Sequence, residues 1–412
     1  MKHEIDERMI NEGVDALLVV GPAQHNPAMV YLTGGGHLTN ADVIKKQGQP
    51  PVLFFNTMER DEAAKSGLKS IGYDQYPLNK YIKECNGDLV EAMAVRYEYM
   101  LKDCDVTHGK IALYGTIELG PKFAVLSRLQ QRMPTIEFVG YVVDPILMPA
   151  MMTKDQHELA RIRNMGKITT QVVQKTADFL QQHKAKDNVL ITAEGRPLTI
   201  GDVKAKINLW LAEAGAENPH DTIFAIGRDA GVPHSLGTPG DALRLGETIV
   251  FDIFPCETGG GYHYDFTRTW SLGYAPQPVQ ELYDQVYQVY KTLVSELKEN
   301  LPFKAVQDRT CDLFEAVNHP TIRSKSNSME GYVHSIGHGL GLRVHEMPFS
   351  GATAGENEIL SKGSVFTIEP GLYYPDQGMG VRLEDTFFIN ENGQAEKFVD
   401  FPMDLVLPIN MV

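Results

Sequence analysis

A chain of 412 residues is long for one hydrophobic core, so two domains are expected. Apolar residues make up 43% and charged residues 22%, the balance of an ordinary soluble globular protein. A net charge of −15 argues against nucleic acid and against an anionic membrane surface, since both need a basic face.

The opening "MKHEIDERMINEGVDALLVVGP" carries acids early and only a short apolar run, so it fits a first helix and strand rather than a secretory signal. No stretch approaches the roughly 20 apolar residues of a membrane span. Cys85, Cys104, Cys256 and Cys311 are scattered without a CxxC pair and read as free thiols in a reducing compartment. A cytoplasmic protein is expected.

Up to about residue 145, compact apolar runs "DALLVV" (15–20), "PVLFF" (51–55) and "KIALYG" (110–115) predict strands, with helices between them at 87–101 and 122–131. That alternation predicts an α/β layer. "VVDPILMPAMMTKDQ" follows, with Pro145 and Pro149 close together, and reads as a linker. Beyond it, Leu159, Ile162, Met165, Ile168, Val172, Phe179 and Leu180 fall at helical spacing. A second stripe joins Val279, Leu282, Val286, Val289, Leu293 and Leu297, and a third helix lies near 304–317. Strands are predicted at 222–226, 248–255, 262–272, 364–374 and 380–390. The fold class is therefore α/β (α+β), with domains at 1–150 and 151–412, the second an antiparallel sheet carrying helices.

Four of those strands hold a carboxylate where an apolar residue is the norm. In "IVFDIFPCETGGGYHYDFTRT", Asp252 and Asp265 are symmetric about the Thr258–Gly259 step, so a tight hairpin sets them face to face. In "FTIEPGLYYPDQGMGVRLEDTF", Glu369 and Glu384 are symmetric about the Asp376–Gln377 step of a "PDQG" turn. Like charges directly opposite on a sheet are destabilising, by roughly 4 kcal/mol at 4 Å and an effective dielectric near 20. Four such groups need something positive among them. Arg268 and Arg382 are nearby but are not placed by the pattern to point inward, so a divalent cation is the better expectation. "YVHSIGHGLGLRVHEMP" offers His334, His338 and His345 in a glycine-bearing loop, and "GVPHSLG" adds His234. Oxygen ligands with one imidazole suit Mn²⁺, Co²⁺, Zn²⁺ or Fe²⁺, with manganese favoured. Carboxylates able to bridge suggest two ions about 3.5–4 Å apart, which is equipment for hydrolysis.

The ordered set "FDIFP", "DFTRT", "GHGLGLRVHE", "TIEPG" and "VRLED" resembles the pita-bread metallopeptidases (family M24), from about residue 155 to the end. The first 150 residues resemble the smaller creatinase-type domain of the aminopeptidase P and prolidase branch, which methionine aminopeptidase lacks. The resemblance implies a Xaa-Pro peptidase that cuts before proline through a hydroxide bridging two divalent metals. By the same resemblance Asp252, Asp265, His338, Glu369 and Glu384 are the metal ligands, with Asp265 and Glu384 touching both ions. Asp252 serves one ion, and His338 with Glu369 the other. Glu369 also takes up the proton of the attacking hydroxide. His345 contacts the substrate and the tetrahedral intermediate, and His234 stands beside the leaving group or the peptide bond. His334 lines the proline pocket, and Arg382 lies near the substrate carboxylate or a supporting carboxyl. The partners implied are a peptide with proline second and another copy of the chain, as a homodimer.

Three residues depart from the family pattern: His263, two positions before Asp265; Arg343, close to His338 and His345; and Cys256. A metal-dependent lyase of the same fold, acting on a substrate such as dimethylsulfoniopropionate, is the alternative reading, beside a creatinase-like C–N hydrolase. The complete ligand set weighs against the latter, which works without metal.

Overall fold

The run Ala16–Gly21 (β1) is buried at every position, as a strand covered on both faces must be. It is the antiparallel neighbour of Ala41–Lys46 (β2) and the parallel neighbour of Gly109–Gly115 (β5). With Val52–Phe55 (β3), Lys69–Gly72 (β4) and Ile136–Val139 (β6) they form a six-stranded sheet of order β4-β3-β2-β1-β5-β6. Helices Leu89–Asp103 (α1) and Leu119–Arg132 (α2) bring Tyr97, Met100, Leu101, Val125 and Leu129 to its core. This is the predicted α/β layer, with strands β2, β4 and β6 added.

The computed structural model describes residues 4–351, 354–355 and 358–411. By its contacts the chain divides into two units, Met1–Met151 with Gly259–Gly261, and Met152–Thr258 with Tyr262–Val412. The segment read as a linker is not featureless, because Leu147–Met151 (α3) is helical. None of the described helices is long and apolar enough to cross a membrane.

In the second unit, Gln156–Gln181 (α4) starts at a capping box. Asp155 accepts the Glu158 N–H at 2.9 Å, and Glu158 accepts the Asp155 N–H at 2.7 Å. Leu159, Ile162, Met165, Val172 and Leu180 are buried along it, whereas Ile168 and Phe179 are half-buried. Ile200–Glu213 (α5), not expected from the sequence, is followed by Gln277–Glu296 (α6) and Phe303–Ala316 (α7). The last two carry the predicted stripe into one core with Phe366, Ile368, Val381 and Phe387.

Strands Ile223–Ile226 (β7), Thr248–Ile253 (β8) and Phe266–Leu272 (β9) form one antiparallel set. A second sheet runs through Glu346–Phe349 (β11), His338–Gly339 (β10), Val365–Ile368 (β12), Asp385–Ile389 (β15) and Ala395–Lys397 (β16). Gly371–Tyr374 (β13) pairs with Met379–Arg382 (β14).

The two acidic hairpins differ in how they meet expectation. From Val365 opposite Phe388 to Tyr374 opposite Met379 the pairing keeps one register, and that register sets Glu369 opposite Glu384 as expected. The predicted strands are nonetheless each broken there, at 369–370 and 383–384, where Pro370 cannot donate to a ladder. In the other hairpin Asp252 lies opposite Thr267, not Asp265. The glycine-rich loop centres one residue later than the sequence suggested, and Asp265 stands just ahead of β9 rather than inside a strand.

Candidate metal centre

Asp252 occupies the central strand β8, where Ile249, Phe251 and Ile253 alternate to the opposite face. Opposite it, the Thr267 hydroxyl donates to Glu384 Oε2 at 2.7 Å, and the Glu384 N–H donates to the Thr267 carbonyl at 3.1 Å. The Thr269 hydroxyl donates to the Arg382 carbonyl and accepts its N–H, each at 2.9 Å. The two threonines of "DFTRT" thus stitch β9 to the break between β14 and β15, which fixes Glu384.

His338 comes from β10, its N–H donating to Thr367 Oγ1 at 3.2 Å. His338 Nδ1 is 3.1 Å from the Gly339 carbonyl, which assigns the ring proton to Nδ1 and leaves the Nε2 lone pair free for an electrophile. Nε2 stands 3.6 Å from Asp265 Oδ2 and 3.5 Å from Glu369 Oε1. Asp265, His338 and Glu384 each offer a ligand atom within 4.8 Å of the others, and all three are buried.

Burial above all, then the neighbouring carboxylates, raises the Asp265 and Glu384 carboxyls well above the usual range. Burial pushes Glu369 up to about 8, with the Asp252 charge adding to it against the relief from Arg382. Burial lowers His338 to about 3, so its imidazole is neutral near pH 7. Oδ1 of Asp252 and Oδ1 of Asp265 are buried without a hydrogen-bond partner among the described residues. Orphaned carboxylate oxygens, carboxyls that resist ionising together and a free imidazole lone pair are the features a divalent cation relieves. The donor set fits one.

Arg382 is the main departure from the sequence reasoning, which set arginine aside. Its Nη2 lies 2.6 Å from Asp252 Oδ2, and both side chains are nearly buried. Nη1 donates to the Tyr373 hydroxyl at 2.7 Å and to the Pro233 carbonyl at 3.1 Å. The Tyr373 hydroxyl is 2.8 Å from His334 Nε2, and His334 Nδ1 is 2.7 Å from the Ser335 carbonyl. The consistent assignment runs from Arg382 to Tyr373 to a neutral His334, whose pKa burial and then the Arg382 charge lower to about 3. Both His334 nitrogens are therefore turned to protein atoms. Arg382 supports a carboxyl, one of the two places the resemblance allowed it.

His345 is exposed, with its ring 4.3 Å from that of His338 and edge-on to it. Partial burial and the nearby His234 lower its pKa. His234 is exposed on the segment that follows Pro233. A cavity of about 480 Å³ is lined by every candidate residue: Asp252, Asp265, His338, Glu369, Glu384, His234, His345, His334 and Arg382. That volume suits a small ligand.

His220 also lines the cavity, its ring 6.1 Å from that of His263, and no sequence signal marked it. Tyr373 was missed too, although it lies four positions after Glu369 on a strand pattern. His263 is buried and turned to the Phe254 carbonyl at 3.2 Å rather than into the cavity. The Arg343 side chain is exposed, and Cys256 is buried.

Residues 160–391 match the model of metallopeptidase family M24. The chain is 25% identical over 395 residues to a protein named Xaa-Pro dipeptidase from Pyrococcus horikoshii, covering 95% of this chain and 94% of that one. In fold it is similar to the prolidase from Pyrococcus horikoshii OT3, with a TM-score of 0.73, 22% identity and 98% of each chain covered. It is likewise similar to the X-Pro aminopeptidase from Thermotoga maritima MSB8, with a TM-score of 0.75, 21% identity and 99% of each chain covered.

Proposed function

We propose that this chain, which belongs to metallopeptidase family M24, is a Xaa-Pro peptidase that hydrolyses the peptide bond before proline. The observation that carries the reading is one cavity into which four carboxylates and the free imidazole nitrogen of His338 converge, two of the carboxylates with an oxygen that has no hydrogen-bond partner among the described residues. The names of the relatives, Xaa-Pro dipeptidase and X-Pro aminopeptidase, support the same substrate class. They give no support to the lyase or creatinase-like alternatives.

Asp252, Asp265, His338, Glu369 and Glu384 would hold two divalent ions, with Mn²⁺ the best match to an oxygen-rich set. Bound there, the ions supply an acidified water and polarise the scissile carbonyl. Glu369, whose Oε1 lies 3.5 Å from His338 Nε2, would take up a proton on its carboxylate and pass it to the leaving amine. His345 and His234, exposed on the cavity wall, donate hydrogen bonds to the substrate as charge develops on it. His334, on the cavity lining, would present its ring to the proline, and Arg382 holds Asp252 in place. A cytoplasmic location is inferred from the scattered cysteines and the sequence start, and a homodimer from the resemblance.

The test is hydrolysis after manganese loading, using a Xaa-Pro dipeptide, a Xaa-Pro-Xaa tripeptide and both peptides with alanine for proline, with Asp252→Asn as blank. Cleavage of the proline peptides in preference to their alanine counterparts is expected. The dipeptide alone would mark a prolidase, and the tripeptide an aminopeptidase P. Silence on both proline peptides by a chain holding its metals would contradict the reading.

A further inference from the structure

Lys154 lies in the segment the sequence marks as linker, yet its side chain is 1% exposed. Its ammonium stands 3.0 Å from Glu346 Oε2, a carboxylate 192 positions away whose side chain is 0% exposed. Glu346 opens β11 directly after His345. Its second oxygen accepts the Arg343 N–H at 3.0 Å, and the Gly341 N–H closes the same turn on the Arg343 carbonyl at 3.1 Å. The ion pair fills the space a side chain at 341 would need: a Cβ there would lie 2.4 Å from Glu346 Oε2 and 2.9 Å from Lys154 Nζ. Lys154 is anchored in turn, its N–H donating to the Gly363 carbonyl at 2.7 Å and Thr153 bridging to Ser364.

A buried ion pair is weak support for stability, because apolar residues of the same volume do as well or better. Its distinctive effect is geometric. The carboxylate caps an N–H of the 340–345 turn, and the ammonium fixes that carboxylate in direction. His345 sits at the end of this turn, exposed, with its ring against His338. We infer that the Lys154–Glu346 pair is the positioning device for His345, holding the turn so that the imidazole stands over the substrate. This rests on the reading of His345 as a group that contacts the substrate.

The experiment is a double-mutant cycle of Lys154→Met and His345→Ala in the manganese-loaded chain, with kcat, KM, bound metal and thermal midpoint measured for each variant. Misplacing a reacting group by about 1 Å costs up to roughly a hundredfold. Lys154→Met is therefore expected to lower kcat by about tenfold or more, with KM and bound metal unchanged. In the His345→Ala background the same substitution is expected to cost no more than about twofold, because the group it positions is gone. If Lys154→Met does not fold, Glu346→Gln takes its place in the cycle, keeping the side-chain shape while removing the charge. Equal losses in both backgrounds, or full turnover by the Lys154 variant, would overturn the proposal while leaving the peptidase reading intact. Full turnover by His345→Ala, or a silent unmutated chain, would instead overturn the parent reading and this one with it.

Discussion

Arg382 shows how one side chain can serve a metal site without binding metal. Asp252 gives Oδ2 to the guanidinium at 2.6 Å, while its Oδ1 has no hydrogen-bond partner among the described residues, so under the proposed reading arginine and cation would be complements at this carboxylate, not rivals. Replacing Arg382 by methionine leaves a buried carboxylate unpaired, which costs about 3–5 kcal/mol. In the metal-free chain this should lower the urea midpoint with little change in slope; an unchanged midpoint would show that Asp252 does not depend on the arginine. The four candidate acids were legible in sequence because a charge beside or within an apolar strand run is conspicuous. Arg382 was not, because parity along a strand says nothing across a break, and Glu384 lies in one. Tyr373 was hidden in "LYY", where an aromatic residue in a strand is unremarkable; its role comes from the hydroxyl between Arg382 and His334.

At the level of elements, the site is assembled by breaks and close approaches. Gly380 in β14 runs so near the 229–231 turn that a Cβ on it would stand 1.9 Å from the Ala230 carbonyl. That turn leads into Pro233, whose carbonyl takes an Arg382 N–H, and then to His234. Gly380→Ala should destabilise the chain by about 1–3 kcal/mol through overpacking and lower turnover by moving His234. Unchanged urea midpoint and kcat would show that the turn yields freely. The "PDQG" turn fixed one register in advance, since its proline and glycine leave little choice of centre. The glycine run at 259–261 does not, because several of its residues can sit at the tip, and Asp265 was misplaced by one step for that reason. Strand β2 was missed because "ADVIKK" looks polar; Asp42 is buried by hydrogen bonds from Tyr73 and Tyr97, and Lys45 by its pairing with Asp6.

For the molecule as a whole, protons and a divalent cation would compete for the same groups. Without metal, the raised carboxyls of Asp265, Glu369 and Glu384 hold protons in the folded chain that they have lost in the unfolded chain. The folded state then binds more protons, so this contribution is fully present below the ordinary carboxylate range and is lost as pH rises, for Glu369 through about 8. A divalent cation displaces those protons, so its affinity should rise with pH across the same window and binding should acidify an unbuffered solution. The most direct measurement is calorimetric titration of the metal-free chain with Mn²⁺ at pH 6 and pH 8, in two buffers of different ionisation enthalpy, beside Asp265→Asn. Two ions per chain, net proton release, tighter binding at pH 8, and loss of binding in a folded Asp265→Asn variant are expected. Two ions bound equally well by Asp265→Asn, or no binding by the unmutated chain at either pH, would contradict the two-metal reading.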